Sequence, residues 1–315
     1  MAFVAGISNA PITAATRYCA VYGHPVKHSA SPAMHNAGLE NLDLDWRYLA
    51  FDVYPLHLRE AIIGAQMMGF IGLNLTVPHK LLAFDMVDAL DQSAHQWRSV
   101  NTILFEGKDE MGDWQPLHHF PDRLPGELRS RGFNTDADAL ATALQEEFNL
   151  RLEGSKVLLL GAGGAGQSAA RKLASERVSE LYLINRTVDR AETLADRLQH
   201  EFPDLKVEVG YPPGTVDLLV NATVLGLQPG DPLPLDEAQF GLDRTKAVYD
   251  MVYQSATTPL LRAAKAAGCR VANGLGMLLH QGARAIEIWT GRPAPLWVMR
   301  EALEKDLYGK GGQRQ

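Results

Sequence analysis

Two cysteines are all that the chain offers, Cys19 and Cys269, each inside a short apolar run. So small a number excludes a disulfide framework, and neither stands at zinc-ligand spacing, so a reducing cytoplasmic compartment and no metal site are expected. Long hydrophobic runs are also missing. No stretch approaches the roughly 18–20 apolar residues that a membrane-crossing helix needs, so no membrane partner is expected. Residues 1–16 carry no charge, yet they lack the basic start and sustained apolar core of a signal peptide and read as a loose extension. Positive charge is not in excess either: 30 Lys and Arg face 37 Asp and Glu, a formal net charge of −7. That balance argues against a broad basic surface for nucleic-acid phosphates and leaves room for a small anionic ligand. Fixed-period repeats and low-complexity tracts are absent, and the tail after Tyr308 reads as frayed.

What is present is ordinary globular composition, 46% hydrophobic and 21% charged over 315 residues, a length that suggests about two domains. From Arg17 onward, short β-branched or apolar runs alternate with helical stretches: Tyr18 to Tyr22, a helix after Ser31, Arg47 to Asp52, a helix from Pro55, and Ile71 to Thr76. This alternation predicts a mixed α/β layer. A second series runs through Val157 to Leu160, Leu181 to Asn185, Val207 to Val209, Leu218 to Asn221 and Ala247 to Asp250, with helices between. That is the rhythm of a doubly wound parallel sheet. Between the two series, Glu106 to Gly132 holds Trp114, Pro116, Pro121 and Pro125 with no clear period, and is expected to form a long irregular excursion. His118 and His119 within it lack a third ligand at suggestive spacing and read as a solvated pair.

The segment Lys156 to Gly166 reads KVLLLGAGGAG, so Gly161, Gly163 and Gly166 follow an apolar strand and open a helix. The glycines serve a tight turn, backbone approach to a pyrophosphate, and close helix-to-strand packing. Ala162, Gly164 and Ala165 complete the loop. Farther on, where an NAD site usually offers an acid to the ribose, the chain has Asn185, Arg186 and Thr187, with Arg190 four residues after Arg186. Guanidinium groups there can meet a 2′-phosphate, which predicts NADP over NAD.

A second group of motifs lies near the start. Gly23 to Asn36 reads GHPVKHSASPAMHN, with Ser31 at an N-cap position and Pro32 at the first helical one, so that helix N–H groups and the Ser29 and Ser31 hydroxyls could converge on a carboxylate. Gly72 to Lys80 reads GLNLTVPHK, a strand ending at Thr76 and a helix whose first turn carries Lys80. Burial or the helix dipole would lower the pKa of that lysine towards an acid/base range, and a carboxylate neighbour would oppose the shift.

Together with Val100-Asn101-Thr102, Asn134-Thr135-Asp136, Asn221-Ala222-Thr223 and the run Asn273 to Gln281, these strings stand in an order that resembles the shikimate dehydrogenase family, from about Tyr18 to Arg292. The resemblance implies an α/β protein of two domains: residues 1–136 with 276–315 as the substrate-binding domain, and residues 137–275 as a Rossmann NADP domain, with the substrate held in the cleft. It implies that Ser29 and Ser31 hold the shikimate carboxylate, that Thr76, Asn101, Tyr253 and Gln281 contact the ring or its hydroxyls, and that Lys80 and Asp136 form the catalytic pair. Thr223 would belong to the cofactor site, and Met251, Gly274 and Met277 would lie near the nicotinamide. NADPH-dependent reduction of 3-dehydroshikimate is the implied reaction, and a homodimer is compatible with it.

Several positions depart from the family pattern. Arg98-Ser99 replaces a common Gly-Ala, Ala139 stands where a glycine is common, Val224-Leu225-Gly226 is more apolar than usual, and the 106–132 segment is long. These bear on the choice of substrate. Quinate or another cyclic hydroxy acid is the alternative substrate, and a non-catalytic NADP-binding regulator is the alternative of another class.

Overall fold

A computed structural model describes residues 11–228 and 230–309 of the chain. Residues 1–10 of the expected extension and 310–315 of the expected tail lie outside the described residues. Thr16, where the extension ends, is anchored: its hydroxyl donates to the Asp45 carboxylate at 3.0 Å. The chain divides into two compact units, one comprising residues up to Asp136 and from Leu279, the other Ala137–Leu278.

The first unit begins with β1 (Arg17–Gly23), α1 (Ser31–Asn41), β2 (Trp46–Asp52), α2 (Leu58–Met67), β3 (Gly72–Leu75) and the short α3 (His79–Leu82). It continues through β4 (Ala89–Leu90), α4 (Gln92–Trp97), β5 (Thr102–Lys108), β6 (Trp114–Pro116) and β7 (Leu128–Phe133). Ser31, expected to cap α1, lies inside it. Ala30 is the cap residue, already near-helical at φ −87° and ψ −4°, and no side chain caps that end.

The strands form one sheet in the order β2-β1-β3-β5-β7-β4, with β6 paired to β5. β1 runs parallel to β2 and β3, whereas β5 is antiparallel to both β3 and β7. The carboxyl ends of β1, β2, β3 and β7 therefore share one sheet edge with the start of β5. Glu106 to Gly132 is not an irregular excursion: it carries the end of β5, then β6, a 3-10 turn over Leu117–His119, and most of β7. His119 is exposed, as expected, but His118 is half-buried. It packs against Trp46 at 5.6 Å between ring centroids, and burial, helped by His119 and Arg17, pulls its imidazole down to about 4.

The second unit holds α5 (Asp136–Phe148, apart from its first residue), β8 (Lys156–Leu160), α6 (Gly164–Ser175), β9 (Glu180–Ile184), α7 (Val188–Glu201), β10 (Lys206–Val209) and β11 (Val216–Asn221). β12 (Thr245–Asp250), α8 (Pro259–Ala266) and β13 (Arg270–Asn273) follow. All strands are parallel, in the order β10-β9-β8-β11-β12-β13. Buried on both faces, β8 and β11 read as the near-continuous apolar runs VLLL and LLV, as parallel strands covered by helices must. The chain order reverses between β8 and β11, and a crevice at the carboxyl ends of the strands is where doubly wound sheets bind ligands.

α9 (Leu275–Thr290) and α10 (Leu296–Tyr308) close the chain, and from Leu279 they complete the first unit. Trp289 is wholly buried among the side chains of β1, β3 and β5, and its indole N–H donates to the Ile103 carbonyl at 2.9 Å. Gly72 makes room for it: a Cβ there would stand 2.1 Å from the indole nitrogen. Among the described residues no helix is long and apolar enough to cross a membrane.

Candidate functional site

At the shared edge of the first sheet, backbone bonds draw the chain ends together. The Thr76 N–H donates to the Tyr22 carbonyl at 2.9 Å, and the Leu75 N–H to the Asn101 carbonyl at 2.8 Å. The Val100 N–H then donates to the Lys80 carbonyl at 2.9 Å. Gly23, ending β1, is required by this closeness, since a Cβ would meet the Thr76 methyl at 2.4 Å. Thr76, Lys80 and Asn101 are thereby held side by side by strands whose sequence positions are far apart.

Asp136 reaches the same place from β7. Lys80 Nζ donates to Asp136 Oδ2 at 2.8 Å, and both side chains are half-buried. An ammonium against a carboxylate, both still reachable by solvent, can pass a proton to a ligand oxygen placed beside them. The aspartate is aimed by its neighbours. Asn101 donates through Nδ2 to the Thr135 hydroxyl at 2.9 Å and accepts the Thr135 N–H at 2.7 Å, and Asn134 Oδ1 accepts the Asp136 N–H at 3.2 Å. Asn101 is almost wholly buried, and Thr135, to which the sequence assigns no role of its own within the Asn134-Thr135-Asp136 string, is a partner that fixes it.

The serines stand on the loop leaving β1. The Ser31 N–H donates to Ser29 Oγ at 3.3 Å, leaving the Ser31 hydroxyl at the first turn of α1. His35, one turn further along α1 and also passed over, is wholly buried. Its Nδ1 lies 2.9 Å from the Ser31 carbonyl and its ring stacks on Tyr48 at 4.0 Å. Burial, opposed by hydrogen bonds to the Ser31 and Gly282 backbone, pulls its imidazole down to about 4. Gly282 approaches so near that a Cβ would stand 2.3 Å from the Met34 methyl and 2.9 Å from His35. Gln281, its neighbour on α9, is thus carried to α1. Tyr253, grouped with these residues in the sequence, stands in the second unit, where burial raises its hydroxyl pKa.

Of the departures, Arg98 ends α4 in the left-handed conformation at φ 48° and ψ 41°, the region a glycine takes at no cost. Its side chain is exposed and its guanidinium lies over Phe84 at 5.5 Å. Ala139 is buried in α5.

In the second unit the glycine turn is as tight as its sequence demands. Gly161 has φ +107°, with Ala222 backbone atoms 3.1 Å from where its Cβ would be, and a Cβ on Gly166 would stand 2.0 Å from the Gly161 carbonyl oxygen. Gly163 and Gly164, by contrast, face open space. The four N–H groups at the start of α6 can therefore be approached closely by a phosphate. Asn185 holds the turn in place by accepting the Ala162 N–H at 3.0 Å and donating to the Thr187 carbonyl at 2.7 Å.

A cavity of about 270 Å³ opens here, lined by Ala162, Gly163, Gly164 and Gln167 on one side and by Arg190, Thr193, Leu194 and Arg197 of α7 on the other. Arg186, on the loop after β9, and both α7 arginines are exposed and have no ion pair among the described residues. Guanidinium groups left without carboxylates beside a helix N-terminus suit an anionic ligand. Thr193 and Arg197 follow Arg190 at three and seven residues, one face of a helix, a spacing that was readable in advance. Thr223 adjoins the turn, its methyl 3.1 Å from the Gly161 Cβ position, and donates its hydroxyl to Asn221 Oδ1 at 2.7 Å. Met251 and Gly274 touch, since a Cβ on the glycine would stand 2.2 Å from the Met251 carbonyl oxygen, and Met277 packs on the same core.

Family models match three stretches of the chain. Those of the shikimate dehydrogenase substrate binding domain, shikimate/quinate 5-dehydrogenase and the shikimate 5′-dehydrogenase C-terminal domain match residues 21–103, 142–211 and 274–304. Over 304 residues, 94% of this chain and 98% of the relative, the sequence is 40% identical to the shikimate dehydrogenase (NADP(+)) of Methanopyrus kandleri. A shikimate dehydrogenase solved in complex with NADP+ superposes with a TM-score of 0.79 at 32% identity, covering 96% of this chain and 99% of that one. The shikimate 5-dehydrogenase of Thermus thermophilus, solved with NADP(H) and shikimate, gives 0.75 at 35% identity, covering 92% and 100%.

Proposed function

Since the chain belongs to the shikimate dehydrogenase family, we propose that it catalyses the reversible NADPH-dependent reduction of 3-dehydroshikimate to shikimate, with Lys80 and Asp136 handling the proton. It is an NADP-dependent oxidoreductase acting on a CH–OH group. Its place is the formation of shikimate on the way to chorismate and the aromatic amino acids, in the cytoplasm, a location that two free, buried cysteines support.

The observation that carries the residue roles is the 2.8 Å contact between Lys80 Nζ and Asp136 Oδ2, side chains 56 residues apart in the chain. When bound, NADPH supplies the hydride that reduces the carbonyl carbon and is left as NADP+. Lys80 gives a proton to the oxygen that becomes the alkoxide, turning C=O into CH–OH, and in oxidation takes it back. Asp136 holds the ammonium towards that oxygen and accepts a hydrogen bond from a neighbouring ring hydroxyl. Ser29 and Ser31 donate to the substrate carboxylate, while Thr76, Asn101, Gln281 and Tyr253 contact the ring and its hydroxyls. The amides of residues 162–166 hold the pyrophosphate. Arg186 and Arg190 meet the 2′-phosphate beside Asn185 and Thr187, and Thr223, Met251, Gly274 and Met277 wall the cofactor.

Steady-state oxidation of shikimate and of quinate, each with NADP+ and NAD+, tests the reading. The highest kcat/KM is expected for shikimate with NADP+. Equal or faster quinate turnover would move the assignment to a quinate/shikimate dehydrogenase, which the description of the matching central family model also admits. Cofactor binding with no turnover of either acid would favour the regulator.

A further inference from the structure

The carboxylate of Asp250, the last residue of β12, is wholly buried, and among the described residues no lysine or arginine pairs with it. A buried, unpaired carboxylate costs stability, and an apolar side chain of similar size would serve a core better. Its surroundings give it another use. Oδ1 accepts the Asn221 side-chain amide at 2.9 Å and the Val252 N–H at 3.1 Å, and Oδ2 accepts the Thr258 hydroxyl at 2.6 Å. Burial raises the Asp250 pKa, and the three hydrogen bonds oppose that shift.

Asn221 ends β11, so Oδ1 ties the loop after β11 to the loop after β12. The link continues outward. Asn221 Oδ1 accepts both the N–H and the hydroxyl of Thr223, at 3.0 and 2.7 Å, and the Thr223 hydroxyl oxygen accepts the Leu225 N–H at 3.1 Å. Gly226 passes over the carboxylate at φ +105°, its Cβ position 3.8 Å from Oδ2. On the other side the Met251 N–H donates to the Asn221 carbonyl at 2.9 Å. Oδ2 faces a different element, because Thr258 caps α8 by accepting the Leu261 N–H at 3.3 Å.

We propose that Asp250 is a positioning residue, whose Oδ1 sets the loops bearing Thr223 and Met251 in the geometry that receives the cofactor. This rests on the reading of Thr223 and Met251 as cofactor-walling residues. The two oxygens divide the labour: Oδ1 serves the cofactor loops, and Oδ2 serves the helix.

Direct NADPH titration by nicotinamide fluorescence, with KM for NADPH and for 3-dehydroshikimate, separates these functions. Asp250→Ala is expected to weaken NADPH by about tenfold, the scale of a lost buried hydrogen bond, with KM for 3-dehydroshikimate within about twofold. Asp250→Asn, which can keep the Oδ1 contacts and turn its amide to the Thr258 oxygen, is expected to restore most of the affinity. Thr258→Val is expected to lower the unfolding midpoint and leave NADPH affinity unchanged. Unchanged affinity in Asp250→Ala, or an equal loss in Thr258→Val, overturns the proposal. Should Asp250→Ala fail to fold, Asn221→Ala cuts the same link and is held to the same outcomes. Thr223→Ala and Met251→Ala test the premise separately: normal NADPH affinity in both removes the cofactor reading of these loops, whatever Asp250 does.

Discussion

Replacing Lys80 by alanine leaves Asp136 without its cation and, in the proposed role, a reacting oxygen without its proton donor. The expected loss is about 10²–10⁴-fold in kcat, the usual contribution of one positioned acid. The unfolding midpoint should barely move, because a half-buried, solvent-screened pair contributes little to stability. Steady-state kinetics beside a thermal melt checks both, and near-normal turnover would refute the assigned role. His35 acts on stability instead. Its folded pKa of about 4 lies below the 6.5 of a free imidazole, so between those values the unfolded chain binds the extra proton. The contribution is complete above pH 6.5 and fades as pH falls towards 4, by up to about 3 kcal/mol. Melts across that window should show the loss, and His35→Gln should flatten it. A slope unchanged in the variant would assign the acid sensitivity elsewhere, with His118 the next candidate.

At the scale of elements, α7 presents Arg190, Thr193 and Arg197 to the glycine-turn cavity. Arg190→Ala should lower kcat/KM for NADPH by about 10–100-fold, the range of a lost charge-assisted hydrogen bond, and leave NADH unaffected. Parallel losses with both cofactors would mean that the arginine does not read the 2′-phosphate. In the parallel sheet β8, β9, β11 and β12 were legible because burial on both faces writes them as apolar runs. The edge strand β13, RVAN with no fully buried residue, carries no such run and was not read as a strand. Nor was β7, because its side chains are satisfied by charge. Arg129 pairs with Glu106 at 2.6 Å and lies over Trp114 at 4.5 Å, and Arg131 lies over Phe133 at 5.2 Å. Such polar and cation–π pairing, to neighbouring strands for Arg129 and along β7 for Arg131, replaces the alternation by which a strand is recognised. The Ser31 cap failed for a local reason, since Ala30 already has near-helical dihedrals. Lys80 and Asp136 were legible only through the ordered motifs, as no local pattern joins residues 56 apart. Asp250 gave no signal at all: a strand-ending aspartate looks like the start of any loop.

The whole molecule has separate cores in its two units, and ligands should be felt unit by unit. NADP+ at a hundred times its Kd adds about 2.7 kcal/mol to whatever must fold to bind it. Amide hydrogen exchange is expected to slow across β8–β13 with NADP+ and across β1–β7 with shikimate. Protection of the first sheet by NADP+ alone would contradict the assignment of the cofactor to the second unit.

The hydrogen bond from Trp289 to the Ile103 carbonyl spans 186 residues. It also imposes an order on synthesis. Everything the second unit contains has been translated by Leu278, before the helices that complete the first unit. The first unit, though begun earlier, must wait with an open groove at Gly72 until its final helices emerge. At about 5–20 residues per second that interval lasts seconds, and during it the apolar faces of β1, β3 and β5 are what a chaperone would meet.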